Sequence, residues 1–145
     1  VVAQFEHIFR ELFGGGHAQL RLDNEDNPLE SNIDIIAQPP GKKLQNINLL
    51  SGGEKTMTEI ALMFAVLKTK PTPFCILDEV EAALDDANIE RFAKYLQNFS
   101  EIQFALVTHQ KVTMEYADVL YGVTMPEQGI SRILSLKLGD KFDLD

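Results

Sequence analysis

Between residues 3 and 13, Phe5, Ile8, Phe9 and Leu12 recur at helical spacing, with Gln4, Glu6, Arg10 and Glu11 between them. That period predicts an amphipathic helix, ended by the run Gly14-Gly15-Gly16. Over 17–22 the period changes to two: Ala18, Leu20 and Leu22 share one face, as in a half-buried strand. Residues 24–28 read as a loop, and 32–37 as a second strand stopped by Pro39-Pro40-Gly41. The stretch 42–50 is polar until Leu49 and Leu50. Ser51 and Glu54 then stand at the spacing of a capping box. They open a helix whose apolar stripe is Ile60, Phe64 and Leu67.

Pro71 and Pro73 end that unit, and Phe74-Cys75-Ile76-Leu77 follows as a short, wholly apolar run. This is the pattern of a strand covered on both faces. A helix over 85–97 turns Ile89, Phe92, Ala93 and Leu96 inward, and 103–108 reads as another buried strand. A short helix over 112–116 and strands over 119–124 and 131–138 complete the chain, before an acidic tail over 139–145. Strand, helix, strand, helix, strand from residue 74 implies right-handed crossovers and a parallel core. Ligands in such sheets sit beyond the carboxyl ends of the strands, where Asp78-Glu79 and Thr108-His109 fall. No internal repeat or low-complexity tract interrupts this order.

Composition narrows the function classes. The chain has 145 residues, 45% of them apolar, enough for one packed domain. No apolar run approaches the roughly 18 residues a membrane span needs, and the amino-terminal residues do not read as a signal peptide. Thirteen basic against 22 acidic residues leave a net charge of -9. That argues against this piece being the main grip on DNA, which requires many phosphate-neutralising cations. The single cysteine, Cys75, cannot form an internal disulfide and sits in an apolar run, as a buried structural thiol would.

Three segments carry candidate chemistry. The strand ending in Asp78-Glu79 leaves two carboxylates at the mouth of a sheet. One carboxylate there can hold magnesium, and its neighbour can orient and deprotonate a water. The plain alternative is an acidic pair beginning a turn. Ser51-Gly52-Gly53 offers close backbone approach and free helix N–H groups, both favourable to phosphate. Its alternative is an ordinary glycine-containing cap. His109, after an apolar strand, could hydrogen-bond a terminal phosphate, although a lone histidine at a strand end is more often structural.

Each signal is weak by itself, but their order is specific. Ser51 precedes Asp78 by 27 positions, Ala83-Leu84-Asp85 follows after a short turn, and His109 follows one further helix and strand. This order matches the ABC ATPases: signature motif, Walker B strand, D-loop, switch histidine. Within that superfamily the chain resembles the structural maintenance of chromosomes (SMC) proteins of the bacterial type. The resemblance rests on Leu50-Ser51-Gly52-Gly53-Glu54-Lys55, on the segment Pro71 to Asn88, and on Ala117 to Met125. It covers nearly the whole chain from Phe5 to Leu138. ABC transporters usually carry Gln where Glu54 stands.

The resemblance implies an α/β fold, the C-terminal lobe of an ABC-type head, with a mostly parallel sheet flanked by helices. It implies ATP and magnesium as ligands, with Asp78 holding the metal and Glu79 as general base. Ser51, Gly52 and Gly53 would contact the γ-phosphate of a nucleotide on an opposing head. Asp85 would link the two composite sites, and His109 would contact the γ-phosphate in its own head. No G-x-x-x-x-G-K-[ST] phosphate loop occurs in the chain. In SMC proteins that loop lies in an N-terminal lobe, beyond a long coiled coil. Residues 1–13 are then expected as the base of the returning arm, 14–138 as the lobe, and 139–145 as an acidic tail. The implied partners are the N-terminal lobe, a second head, the C-terminal winged-helix domain of a kleisin around 121–138, and DNA through the whole complex. The implied location is cytoplasmic and nucleoid-associated. The alternatives are a related coiled-coil DNA-repair ATPase, or a lobe acting only as a kleisin-docking module.

Overall fold

The predicted stripe Phe5, Ile8, Phe9 and Leu12 is fully enclosed in the computed structural model, which describes residues 1–137. These side chains lie on α1 (Val2–Phe13). Gly14 ends the helix in the left-handed conformation, φ 72°, and its N–H closes on the Arg10 carbonyl. Glycine is the residue that adopts this without a Cβ penalty. Gly16 is required more strictly: at φ 83°, a Cβ there would stand 2.2 Å from the Gln38 carbonyl oxygen.

The chain then forms β1 (His17–Leu22), β2 (Ile33–Gln38) and β3 (Gln45–Asn46), an antiparallel sheet in the order β1-β2-β3. The register pairs Ala18 with Ala37 and Leu20 with Ile35. β3 and the 3-10 turn Ile47–Leu49 lie where the sequence showed only a polar stretch. A two-residue strand has no period to read, and its pairing with β2 is set by tertiary packing.

Helix α2 (Gly52–Thr69) buries Met57, Ile60, Ala61, Phe64, Ala65 and Leu67, so the predicted stripe holds. β4 (Phe74–Asp78), α3 (Asp86–Leu96) and β5 (Gln103–Val107) form a strand–helix–strand unit with parallel pairing, Asp78 opposite Val107. Ile89, Phe92 and Ala93 face inward as expected, with Leu96 half-buried. Phe64 lies 5.9 Å from the Phe92 ring, 5.0 Å from Tyr95 and 5.3 Å from Phe99. This aromatic cluster joins α2 to α3, and truncating such a residue costs about 3–5 kcal/mol.

After α4 (Lys111–Glu115), β6 (Val119–Glu127) and β7 (Ile130–Lys137) form an antiparallel hairpin. The α/β class stands, but among the described residues parallel pairing is confined to β4 and β5. The strand after α4 does not extend that pair, because its edge partner is β7 across a turn containing Gly129. Coverage of β4 on both faces is also corrected. Leu77 is buried, but Phe74 and Ile76 are 63% and 66% exposed, as is Val107 at 54%. One face packs on the core, and no element among the described residues covers the other. Residue 138 and the 139–145 tail lie outside the described residues. No helix among those described is long and apolar enough to cross a membrane.

Candidate functional site

The end of β4 places Asp78 in the sheet and Glu79 just past it. Glu79 has φ 47°, the one non-glycine residue with positive φ among those described. A left-handed side-chain-bearing residue is uncommon and strained, and such strain concentrates at functional sites. Its N–H is held by the Val107 carbonyl at 2.9 Å, which continues the β4–β5 pairing one residue beyond the sheet. The reversal swings the carboxylate toward the end of β5, where Glu79 Oε1 lies 3.4 Å from His109 Nδ1. Both side chains are more than half exposed, so the pair is open to a ligand.

Glu81 lies beneath them and was not read as a site residue from the sequence. It is 1% exposed. Its Oε1 accepts from the Thr108 hydroxyl and from Thr113 Oγ1, the latter at 3.0 Å. Thr108 Oγ1 in turn accepts the Gln110 N–H at 3.0 Å. A buried carboxylate thus ties the turn after Glu79 to the segment carrying His109. In the sequence it is one more acid after an acidic pair, and only its burial distinguishes it. A polar group out of water is tolerable when it is hydrogen-bonded, and here two hydroxyls donate to the same oxygen, Oε1.

Asp78 ends β4 with its carboxylate exposed, where it could hold a metal. No group of three or more His, Cys, Asp or Glu side chains converges among the described residues. One carboxylate fits magnesium, which keeps water and takes phosphate oxygens, and does not fit an all-protein cage.

The second cluster forms around Ser51, at the start of α2. Glu54 Oε2 accepts from the Ser51 N–H at 3.3 Å and from Ser51 Oγ at 2.9 Å, closing the predicted capping box from the Glu54 side. Lys42, from the loop after β2, reaches across with Nζ 2.7 Å from Glu54 Oε1. This lysine holds the Glu54 carboxyl below the usual range, aided by Ser51 and opposed by burial. Ser51 and Gly52 are exposed, and Gly52 faces open space. A Cβ on Gly53 would lie 3.5 Å from the Ala83 carbonyl oxygen, so the loop beginning α2 sits against the loop before Asp85.

Asp85 itself caps α3, accepting the Asn88 N–H at 2.8 Å. Its carboxylate has a structural task in this chain besides any contact across a dimer. The structure therefore pairs Glu79 with His109 next to Asp78, and sets Gly53 against the loop before Asp85. Among the described residues, no hydrogen bond or ion pair joins Ser51 to Asp78, Glu79 or His109. Cys75 is half-buried, and burial pushes its thiol up, as an unreactive structural cysteine requires.

Residues 4–132 match the RecF/RecN/SMC N terminal domain family. The chain is 61% identical over 137 residues to the Chromosome partition protein Smc of Bacillus subtilis (strain 168), covering 94% of this chain and 12% of the relative. It superposes with TM-score 0.85 and 41% identity on a structure from work on ATP-driven dimerization and DNA-stimulated activation of SMC ATPases, covering 94% of this chain and 83% of that one. It also superposes, with TM-score 0.87 and 42% identity, on an Smc head bound to the C-winged helix domain of ScpA, covering 95% of this chain and 42% of that one. The chain thus spans about one eighth of the length of the curated relative.

Proposed function

Because the chain belongs to the SMC family, with the fold of its ATPase head, we propose that it is the C-terminal lobe of that head and completes an ATP site only with other polypeptide. The observation carrying this reading is the pairing of Glu79 with His109 while Ser51 and Gly52 stay exposed and Gly52 faces open space, in a chain without a phosphate loop. Two half-sites with no bond between them suit a composite site, in which each lobe serves its own nucleotide with one and a second head's with the other.

In the first half-site, Glu79 orients the attacking water and accepts its proton. His109 faces the same spot and donates to the terminal phosphate. Asp78 would hold magnesium, and the ion would supply charge neutralisation there. The Val107 carbonyl and the Glu81–Thr108 contact keep Glu79 and His109 in register, so little reorganisation remains for the reacting complex. In the second half-site, the Ser51 hydroxyl and the N–H groups of Gly52 and Gly53 face the γ-phosphate on the opposing head. Engagement then depends on nucleotide, and hydrolysis releases it. Residues 1–13 would form the base of the returning arm.

Partner docking follows from the same reading. The β6–β7 hairpin exposes Tyr121, Val123, Ile133 and Leu134, which lie on both of its faces. A two-stranded sheet is marginal by itself, and this surface suits the winged-helix domain of a kleisin. The whole complex would act in chromosome partition, with DNA bound mainly by other parts.

The test uses the full-length protein containing this chain. Glu79→Gln should slow ATP hydrolysis by about 10²–10⁴-fold, the scale of losing a general base, while ATP still drives head engagement. Ser51→Arg should bind nucleotide but fail to engage. Hydrolysis within threefold of the parent in the first variant, or normal ATP-driven engagement in the second, would remove the assigned role.

A further inference from the structure

The loop that must receive a phosphate carries a carboxylate of its own. Glu54 lies three residues beyond Ser51, is only 22% exposed at its side chain, and shares an oxygen with the Ser51 hydroxyl at 2.9 Å. A triphosphate brought to Ser51 therefore meets a fixed negative charge about one hydrogen bond away. Unneutralised, that charge opposes docking, and the helix N-terminus supplies only about half an opposing charge. The hydroxyl is also spent: Ser51 Oγ donates to Glu54, so it has no proton to offer a phosphate oxygen until that bond is exchanged.

Lys42 offsets the charge and contacts Oε2, the same oxygen that the Ser51 hydroxyl uses. Its ammonium sits 2.7 Å from Glu54 Oε1 and 2.9 Å from Oε2, so it contacts both carboxylate oxygens. It arrives from a different element, the loop after β2, ahead of β3. Gln38 Nε2 donates to the Lys42 carbonyl at 3.0 Å, and the Lys42 N–H closes on the Pro39 carbonyl at 3.1 Å. Both contacts fix the lysine's backbone, so the ammonium is presented from a held position. The other charged side chains beginning α2 and this loop, Lys43 and Lys55, make no ion pair among the described residues. Glu54 is therefore balanced by one cation.

We propose that Lys42 is a positioning residue for trans-nucleotide engagement: it neutralises Glu54 and competes with Ser51 for its oxygens, freeing the Ser51 hydroxyl to turn to an incoming γ-phosphate. The proposal deepens the reading that Ser51 serves a second head's nucleotide, and rests on it. Its signature is electrostatic. Removing the cation should impair engagement, and removing the anion as well should restore it.

The experiment measures ATP-driven engagement by site-specific cross-linking between heads in the full-length protein, in the Glu79→Gln background. Lys42→Gln should raise the ATP concentration needed for half-maximal engagement by about tenfold or more, since a bare charge sits within contact range of phosphate. Nucleotide bound by the separated head should be unchanged. Lys42→Arg should stay within about threefold of the parent, and Lys42→Gln with Glu54→Gln should recover to that range. Added salt should shrink the single-variant defect, because the charges are part-exposed. Unaltered engagement in Lys42→Gln overturns the proposal. So does a defect that Glu54→Gln cannot rescue, which would make Lys42 a structural prop. The Ser51→Arg control separates the two levels: if it engages normally, the trans reading itself has failed and takes this inference with it.

Discussion

At the scale of single residues, Glu79 carries a backbone cost that its N–H bond to the Val107 carbonyl holds in place. Left-handed backbone disfavours a residue with a Cβ by about 1–2 kcal/mol, and Asn tolerates that conformation better than Glu or Gln. Glu79→Asn should therefore be more stable than Glu79→Gln by about 0.5–1 kcal/mol, measured by denaturant unfolding of the intact head. Both variants remove the Glu79 carboxylate, so the difference reports chiefly backbone strain. Equal stabilities would mean that φ 47° is not strained in this setting. The carboxylate pair at residues 78 and 79 was visible in the sequence as acids after an apolar strand. The reversal between them was not, because φ is decided by the Val107 contact that holds the Glu79 amide. Glu81 was equally hidden, since burial and its two threonine partners come from elements far along the chain.

At the scale of elements, the start of α2 is a helix cap held together by charge. Glu54 has its carboxyl depressed below 4.5, chiefly by Lys42. A depressed carboxyl contributes stability that is complete above its unfolded value and is lost as pH falls through its folded value. Amide exchange over Ser51 to Thr58 should therefore be protected near neutrality and lose protection as pH drops below about 4.5, after correction for intrinsic exchange. Lys42→Met should raise the pH at which protection falls. An unshifted profile would show that Lys42 does not set the Glu54 proton affinity. The cap itself was legible as Ser51 and Glu54 three apart, a local pattern. The lysine was not, because it comes from a loop 12 positions away, which reaches the helix only after β2 pairs with β1 and β3.

At the scale of the molecule, the unsatisfied surfaces matter most. Phe74, Ile76 and Val107 leave an apolar face on the parallel pair, and the β6–β7 hairpin exposes apolar side chains on both sides. Such surfaces are what the composite-site reading expects to be covered by other polypeptide. The chain alone should therefore turn over no ATP, and mixing it with the matching N-terminal lobe should restore nucleotide binding. Turnover by the purified chain, abolished by Glu79→Gln, would defeat the composite-site reading. Kleisin capture should be lost when Tyr121→Asp or Leu134→Asp is introduced, with ATP-driven engagement retained. Unchanged capture in both would move docking off this hairpin.

What the sequence determined by itself is the set of elements whose signals are local: α1, α2 and α3 by their 3.6-residue stripes, β1 by alternation, β2 by an apolar run stopped at Pro39-Pro40-Gly41, and the motif order from Ser51 to His109. Those patterns follow from one chain burying one face of each element, which neighbouring residues encode. Tertiary structure decided the rest. It limited parallel pairing to β4 and β5, left half of β4 uncovered, turned Glu79 onto His109, sank Glu81 beneath them, and brought Lys42 to Glu54. Each depends on which distant segment lies opposite, and no local period records that.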